Sequence, residues 1–244
     1  MMNKSIILLT VIMLLSGSLR AQIVSDSLQT EKLKVKQIIV PGSLIIIGSV
    51  LSGSHLEKEI KNSFHDGSEN DIDFALPIDD LIQYAPIAEL YIADVLGVKA
   101  KNHWFDQTKY LIIANAITAG ITWAGKSIIN KERPNGADYS FPSGHSSFSF
   151  TNASVLYYEF KDTAPGLAYS GYTITTLVAG LRVVNNKHWL SDVMVGSGLG
   201  ILVTTMVYHY EPFKNWNPFK KSENITFVPS YNNSGVGFYF SYSF

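Results

Sequence analysis

The stretch RVVNNKHWLSD, residues 182–192, places an arginine, a histidine and an aspartate directly before an apolar run that starts at Val193. If a helix begins near His188, then His188 and Asp192 lie four residues apart on one face of that helix. The carboxylate can then accept the imidazole N–H and leave the other ring nitrogen available as a nucleophile or base. The same spacing is also typical of a surface hydrogen bond, so the pair alone does not establish catalysis.

A second polar cluster, the stretch FPSGHS at residues 141–146, begins another apolar segment. Pro142 can lead into a helix, and Gly144 removes a side chain that would block close approach to the backbone. Free N–H groups at the helix start, together with the Ser143 hydroxyl, form a cradle for phosphate oxygens, with His145 beside it. An ordinary helix cap that happens to be followed by a histidine is the alternative interpretation.

A third cluster, KSIINKERP at residues 126–134, brings two further cations to the same membrane boundary if successive apolar windows alternate in direction. Lys126 or Arg133 alone would be an ordinary interfacial anchor. Together with Arg182, however, these cations repel one another unless an anion binds among them. Phosphate fits this requirement, because arginine can grip it through two parallel hydrogen bonds.

The elements that must position these clusters are apolar windows without charged residues, each close to the roughly 20 residues that span a bilayer core. They are residues 37–56, 110–125, 139–158, 163–181 and 193–210. A further segment, residues 81–98, is interrupted by Glu89 and Asp94, and it either spans or lies at the interface. The pattern predicts an all-α fold, a polytopic helical membrane bundle, with a soluble periplasmic bundle as the alternative.

The two ends of the chain predict appendages to this bundle. Lys4, an apolar run at residues 6–15 and a plausible cleavage point after Ala21 indicate a bacterial secretory signal at residues 1–21, or else an uncleaved anchor. At the other end, alternating aromatic residues on either side of the turn-like stretch 232–235 predict a β-hairpin. We therefore expect a signal peptide at 1–21, one helical domain at 22–212 and a tail with a hairpin at 213–244.

Composition excludes several kinds of chemistry. The net charge of −1, with no basic cluster or face, gives no reason to expect nucleic acid binding. The chain has no cysteine, which excludes a disulfide, a thiolate nucleophile and Cys-ligated zinc. Any catalysis must therefore use histidines, carboxylates, hydroxyls and cations.

Taken together, the three clusters resemble the three-part signature of the type 2 phosphatidic acid phosphatase (PAP2) superfamily, which also contains acid phosphatases. The matching parts, in order, are Lys126 followed by six residues and Arg133-Pro134, then Pro142-Ser143-Gly144-His145, then Arg182 with His188 and Asp192. Order and spacing match over residues 126–192, and a looser helical resemblance extends over about 37–210. One position departs from the pattern, because Leu181 stands where the family has a serine before the arginine.

The resemblance implies a role for each matching residue. His188 would be the nucleophile that forms a phosphohistidine, Asp192 would orient it, and His145 would protonate the leaving oxygen. The remaining oxygens would be held by a phosphate-binding set, namely Lys126, Arg133, Ser143, Gly144 and Arg182. The scheme implies no metal and no cofactor.

The implied function is hydrolysis of a phosphate monoester or diphosphate of an envelope lipid. Lipid A, undecaprenyl diphosphate, phosphatidic acid and phosphatidylglycerol phosphate are the candidates, and no protein partner is indicated. We expect a bacterial inner-membrane location with the active site facing the periplasm, which requires residues 81–98 to be peripheral or a non-spanning pair. The alternatives are a soluble periplasmic acid phosphatase, a vanadate-dependent haloperoxidase and a noncatalytic lipid-binding envelope protein.

Overall fold

The computed structural model describes residues 33–64, 78–217, 225–232 and 235–242. The secretory signal predicted at residues 1–21 lies outside them. The helices are α1 (Val35–Leu51), α2 (His55–Phe64), α3 (Ile78–Ile82), α4 (Ala85–Val95), α5 (Trp104–Ile129), α6 (Gly144–Phe160), α7 (Pro165–Val184) and α8 (Leu190–Tyr210). The chain divides between Pro212 and Phe213 into two compact units, which are described separately.

The first unit is a helical bundle with α6 and α8 at its centre. Helix α6 is buried on nearly every side, although its sequence is rich in serine, threonine and asparagine. Its hydroxyls bond to the helix backbone, as in the Thr151 Oγ1 to Ser147 carbonyl contact of 2.8 Å. Because these polar groups are satisfied internally, the helix can occupy the centre of the bundle at little cost. Apolar side chains such as Leu156, Phe160 and Leu199 complete the core.

Glycines allow α8 to lie directly against the backbone of α6. A Cβ atom added at Gly200 would lie 2.5 Å from the Ser147 carbonyl oxygen, and one at Gly196 would lie 2.6 Å from the Ser143 carbonyl oxygen. No side chain could be accommodated at such distances. Glycine therefore lets the backbones of the two helices come into contact, as small residues do between membrane helices. The close approach places the first turn of α6 beside the first turn of α8.

Within the part of the chain that the structure describes, two helices, α5 and α8, are long and apolar enough to cross a membrane, and α1 with α2 forms a third candidate that bends by 96° at its break. Large apolar side chains project outward from α1 and α5, among them Ile46, Ile47, Ile112, Ile117 and Trp123. Exposed apolar surface of this kind is a membrane-contacting feature. The windows predicted at 139–158 and 163–181 form α6 and α7, and neither helix is among these candidate spans. The predicted helical membrane bundle is confirmed.

Residues 81–98 were expected to be peripheral or a non-spanning pair; α4 has 11 residues and is not among the candidate spans, but it buries Leu90 and Ala93 in the core and is therefore not peripheral. Near its start, the ring of Tyr84 lies 5.2 Å from that of Phe148 in the first half of α6. Beyond its end, the Lys101 N–H donates to the carbonyl oxygen of Glu159, near the end of α6. The acidic residues do not require an interfacial position, because Ser170 donates to Glu89 and Gln107 donates to Asp94.

The second unit contains an antiparallel β-hairpin. Strands β1 (Ile225–Asn232) and β2 (Gly235–Tyr242) pair with Asn232 opposite Gly235 and Ile225 opposite Tyr242. The predicted hairpin is therefore confirmed by the pairing of its two strands.

Candidate active site

His188 lies in the turn between α7 and α8, two residues before α8 begins, and not in the helix itself as the spacing predicted. Its backbone N–H donates to the carbonyl oxygen of Arg182 at 3.1 Å. Its side chain is 2% exposed, and Nδ1 lies 3.7 Å from Oδ2 of Asp192. Because Nδ1 faces the carboxylate, Nε2 is the ring nitrogen directed away from it.

The Asp192 carboxylate is fully buried and receives several donors besides the imidazole. Oδ2 accepts from the Trp189 N–H at 3.0 Å and from the hydroxyl of Ser140, which also lies 3.4 Å from Nδ1 of His188. Oδ1 accepts from Nζ of Lys131 at 2.9 Å. A carboxylate held by this many donors stays ionised and has one orientation.

Lys131 connects the Asp192 carboxylate to a second buried carboxylate, Glu57 in α2. Nζ of Lys131 lies 2.8 and 3.0 Å from the two oxygens of Glu57 and 2.9 Å from the hydroxyl of Ser191. The Ser191 hydroxyl also bonds to Glu57. Sequence reasoning missed this network, since Glu57 belongs to no spacing pattern and Lys131 was only one of several cations in its motif.

The loop between α5 and α6 folds back on itself and holds the first two predicted phosphate-binding cations. Nζ of Lys126 donates to the Tyr139 carbonyl oxygen at 2.6 Å, and Nε of Arg133 donates to the Asp138 carbonyl oxygen at 3.2 Å. Both cations therefore point along the same loop that leads into α6. Backbone carbonyls are neutral partners, so they leave the positive charges uncompensated.

The first turn of α6 lies between these cations and α8. Ser143 caps the helix: its backbone N–H donates to the Asp192 carbonyl oxygen at 3.0 Å, and its hydroxyl accepts from Ser146. A Cβ at Gly144 would lie 3.8 Å from Cε of Lys126, which places the helix start beside that cation. The Ser143 hydroxyl is buried in this cap, whereas the predicted cradle assumed that it faces the anion.

His145 and Arg182, on different helices, meet at a carboxylate that the sequence analysis did not identify. Oδ1 of Asp80, in α3, lies 2.7 Å from Nε2 of His145 and 3.2 Å from Nη1 of Arg182. Asp80 is more than half exposed, while Arg182 is buried. No spacing relates residue 80 to the three motifs, so only the tertiary structure reveals this contact.

The electrostatic environment favours a neutral imidazole at His188. Burial lowers the pKa of His188 to about 4, partly opposed by Asp192 and reinforced by the cations Lys126 and Arg133. Burial and the nearby Arg182 likewise lower the pKa of Arg133. At neutral pH, the His188 imidazole is therefore uncharged and lies near the cations Lys126 and Arg133.

The same shift makes the fold sensitive to acid. The ordinary pKa of histidine is 6.5, so between that pH and about 4 the unfolded chain binds a proton that the folded chain does not. Stability is therefore lost as the pH falls through this range.

A groove of about 240 Å³ extends from the site between α5 and α6. Lys126 and Gly144 line its upper end, and Asn115 lines its far end. Lys126 and Asn115, which both lie on α5, are separated by about 17 Å along the helix. Trp123 and Phe148 contribute aromatic surface along the way.

Comparison with known proteins agrees with this arrangement. Residues 103–216 match the model of the PAP2 superfamily. A lipid A 1-phosphatase of Porphyromonas gingivalis is 32% identical over 137 residues, which are 55% of this chain and 31% of that protein. The chain thus spans about a third of the length of this curated relative.

Two solved structures also match. That of Aquifex aeolicus LpxE has a TM-score of 0.50 and 18% identity, covering 65% of this chain and 97% of that one. A transmembrane PAP2 type phosphatidylglycerolphosphate phosphatase from Bacillus subtilis has a TM-score of 0.41 and 18% identity, covering 90% and 100%. At this identity, the first match shows that the fold is shared.

Replacement of Lys131 tests whether the buried network supports the site. Lys131→Met leaves two buried carboxylates, Glu57 and Asp192, without their shared cation, so we expect a loss of about 3 kcal/mol in the free energy of unfolding. Combining it with Glu57→Gln removes one of the two charges and should recover part of the loss. The measurement is denaturant unfolding in detergent.

The matched control is Lys58→Met, which removes an exposed lysine from the same helix as Glu57. This change should leave the unfolding free energy within about 0.5 kcal/mol of the parent value. Equal effects of the two substitutions would contradict a structural role for the buried network.

Proposed function

Because residues 103–216 match the PAP2 superfamily model and the chain resembles a lipid A 1-phosphatase over 137 residues, we propose that it is a PAP2-type membrane lipid phosphatase that works through a phosphohistidine at His188. The observation that carries this proposal is the buried His188–Asp192 pair at the end of apolar helices, facing uncompensated cations. We assign the phosphatase domain to residues 22–212, with residues 213–244 as a tail.

In the first step, Nε2 of His188 attacks phosphorus in line with the leaving oxygen. The N–P bond forms as the P–O bond breaks, and His145 gives its proton to the leaving oxygen. Asp192 stabilises the positive charge that develops on the attacking ring. Lys126, Arg133 and Arg182, with the Gly144 N–H at the start of α6, hold the nonreacting oxygens.

In the second step, water attacks the phosphohistidine and His145 takes the proton from that water. The N–P bond breaks, inorganic phosphate leaves, and both histidines return to their starting states. These side chains account for every bond and proton of the reaction, so the proposed enzyme is metal-independent and needs no cofactor.

The position of the site supports a lipid substrate. A phosphate at the bundle end reaches the cations while the attached chains remain beside the apolar helices. The groove between α5 and α6 runs from Lys126 along the apolar helices to Asn115. Among the candidate envelope lipids we place lipid A first, because the relative from Porphyromonas gingivalis carries the name lipid A 1-phosphatase.

The absence of the family serine at position 181 does not remove the activity in this proposal. Leu181 supplies no hydroxyl, so one neutral hydrogen bond to phosphate is lost. Such a bond contributes about 1 kcal/mol, or less than about tenfold in rate. The charged groups and both histidines are unaffected.

Phosphate release by the purified protein in detergent with EDTA tests the function. The substrates are lipid A, undecaprenyl diphosphate, phosphatidic acid, phosphatidylglycerol phosphate and a soluble aryl phosphate. We expect turnover in chelator with a preference for one lipid, and a loss of at least about 10³-fold in His188→Ala, since the nucleophile is removed.

The control is His209→Ala, which removes a histidine near the opposite end of α8 and should retain activity. Preference for the aryl phosphate would favour a soluble acid phosphatase. Binding of a phosphorylated lipid without turnover by the folded protein would favour the noncatalytic lipid-binding alternative, and vanadate-dependent halide oxidation would favour a haloperoxidase.

The direction of α1 bears on which side of the membrane the site faces. Helices α1 and α8 are antiparallel, with Gly48 beside Ser191 and Gly198 beside Pro41. Residue 35 therefore lies at the bundle end opposite the active site. If α1 spans, a periplasmic site requires residue 35 to be cytoplasmic, whereas cleavage after Ala21 would leave the polar stretch 22–34 in the periplasm.

These two expectations, a cleaved signal and a periplasmic site, therefore exclude each other for a spanning α1. We propose an inner-membrane protein whose site faces the periplasm, with residues 22–34 on the cytoplasmic side. The support for this choice is the resemblance to envelope lipid phosphatases.

Cysteine labelling decides the orientation, because the chain has no native cysteine. Asn135→Cys lies in the exposed loop at the site, and Asp162→Cys lies in the exposed turn at the opposite end. In cells with a permeabilised outer membrane, an impermeant maleimide should label the first and reach the second only after lysis. The reverse pattern would place the site in the cytoplasm, and labelling of both would indicate a wholly exported domain.

A further inference from the structure

We propose that Asp80 is a positioning residue that holds His145 and Arg182 in their working orientations, an inference that rests on the proposed phosphatase function. One carboxylate oxygen of Asp80 lies within hydrogen-bond distance of both residues, at 2.7 Å from Nε2 of His145 and 3.2 Å from Nη1 of Arg182. It thereby connects α6 and α7, the two helices that supply the general acid and a phosphate-binding cation.

The position of Asp80 is fixed by the packing of the residues that follow it. Nε2 of Gln83, which is buried, donates to the Asp80 carbonyl oxygen at 2.7 Å. The adjacent Tyr84 places its ring edge-to-face against Phe148, one turn beyond His145 in α6. Short helix α3 is thus held against the first turn of α6, and the Asp80 carboxylate does not reach the site by chance from a free surface.

The contact between Asp80 and His145 resembles that between Asp192 and His188, because each carboxylate faces one ring nitrogen of its histidine. Asp192 faces Nδ1 of His188 and directs Nε2 toward phosphorus. Asp80 faces Nε2 of His145, which fixes the proton on that nitrogen and assigns the transferred proton to Nδ1. The two histidines therefore have opposite tautomeric arrangements, each set by its own carboxylate.

The charges around His145 explain why such a carboxylate is needed. Lys126 from α5, Lys131 and Arg133 from the following loop and Arg182 from α7 are among the cations at this end of the bundle, and like charge opposes a cationic ring. Asp192 from α8 is engaged with His188 and Lys131. Among the side chains that the structure describes, Asp80 in α3 contacts Nε2 of His145 directly, and its carboxylate stabilises the cationic ring that must donate the proton.

The leaving group distinguishes positioning of the acid from a general effect on the fold. Phosphatidic acid releases an alkoxide-like oxygen that needs protonation, whereas attack on the terminal phosphorus of diacylglycerol diphosphate releases phosphatidate, a stable anion. Asp80→Asn should lower kcat/KM for phosphatidic acid by about tenfold and for the diphosphate by less than about twofold, because acid catalysis matters only for the poor leaving group. Asp80→Glu should restore part of the loss.

The matched control is Asp162→Asn, an exposed carboxylate at the opposite end of the bundle that should leave both values unchanged. Equal losses on the two lipids, or no loss on phosphatidic acid, would overturn the positioning of the general acid His145 while leaving the phosphatase intact. A wild-type protein inactive on every phosphate would instead overturn the proposed function. In that case, ¹⁵N-histidine NMR still tests the contact, since an unchanged His145 tautomer in Asp80→Asn would contradict it.

Discussion

The ionised carboxylate of Asp192, buried at the start of α8, is the constraint on which the site depends. A charge in this position is costly unless donors surround it, and here the Trp189 N–H, the Ser140 hydroxyl and Nζ of Lys131 do so. Trp189 belongs to the turn that carries His188, and Lys131 and Ser140 lie near the two ends of the loop between α5 and α6. Satisfying one charge therefore fixes the turn that carries His188 and the loop that leads from Lys126 and Arg133 to α6.

The packing of the bundle makes this arrangement possible. Gly196 and Gly200 let α8 touch the backbone of α6, and the Ser143 N–H can then donate to the Asp192 carbonyl oxygen. Residues separated by about 50 positions in sequence thus meet at adjacent helix starts. The same end receives α2 through Glu57, because Lys131 links this carboxylate to that of Asp192.

The sequence was sufficient to predict the bundle, the hairpin and the two residues of the His188–Asp192 pair, because periodicity and motif spacing are local properties. Asp80, Glu57 and Lys131 could not be predicted in the same way, since their roles depend on which helices become neighbours. The expectation that residues 81–98 are peripheral or a non-spanning pair followed from the expected side of the site, and the sequence could not show that Ser170 and Gln107 lie beside Glu89 and Asp94.

The central claim is that phosphate is transferred to His188, and direct detection of that intermediate tests it. The protein is mixed with its best lipid substrate, quenched in alkali to preserve phosphohistidine, and analysed by mass spectrometry of its peptides. A phosphoryl group on His188, present in the parent and in His145→Ala but absent from His188→Ala, is the predicted result. Turnover without a phosphorylated peptide in either protein, or phosphate on another residue, would contradict the account.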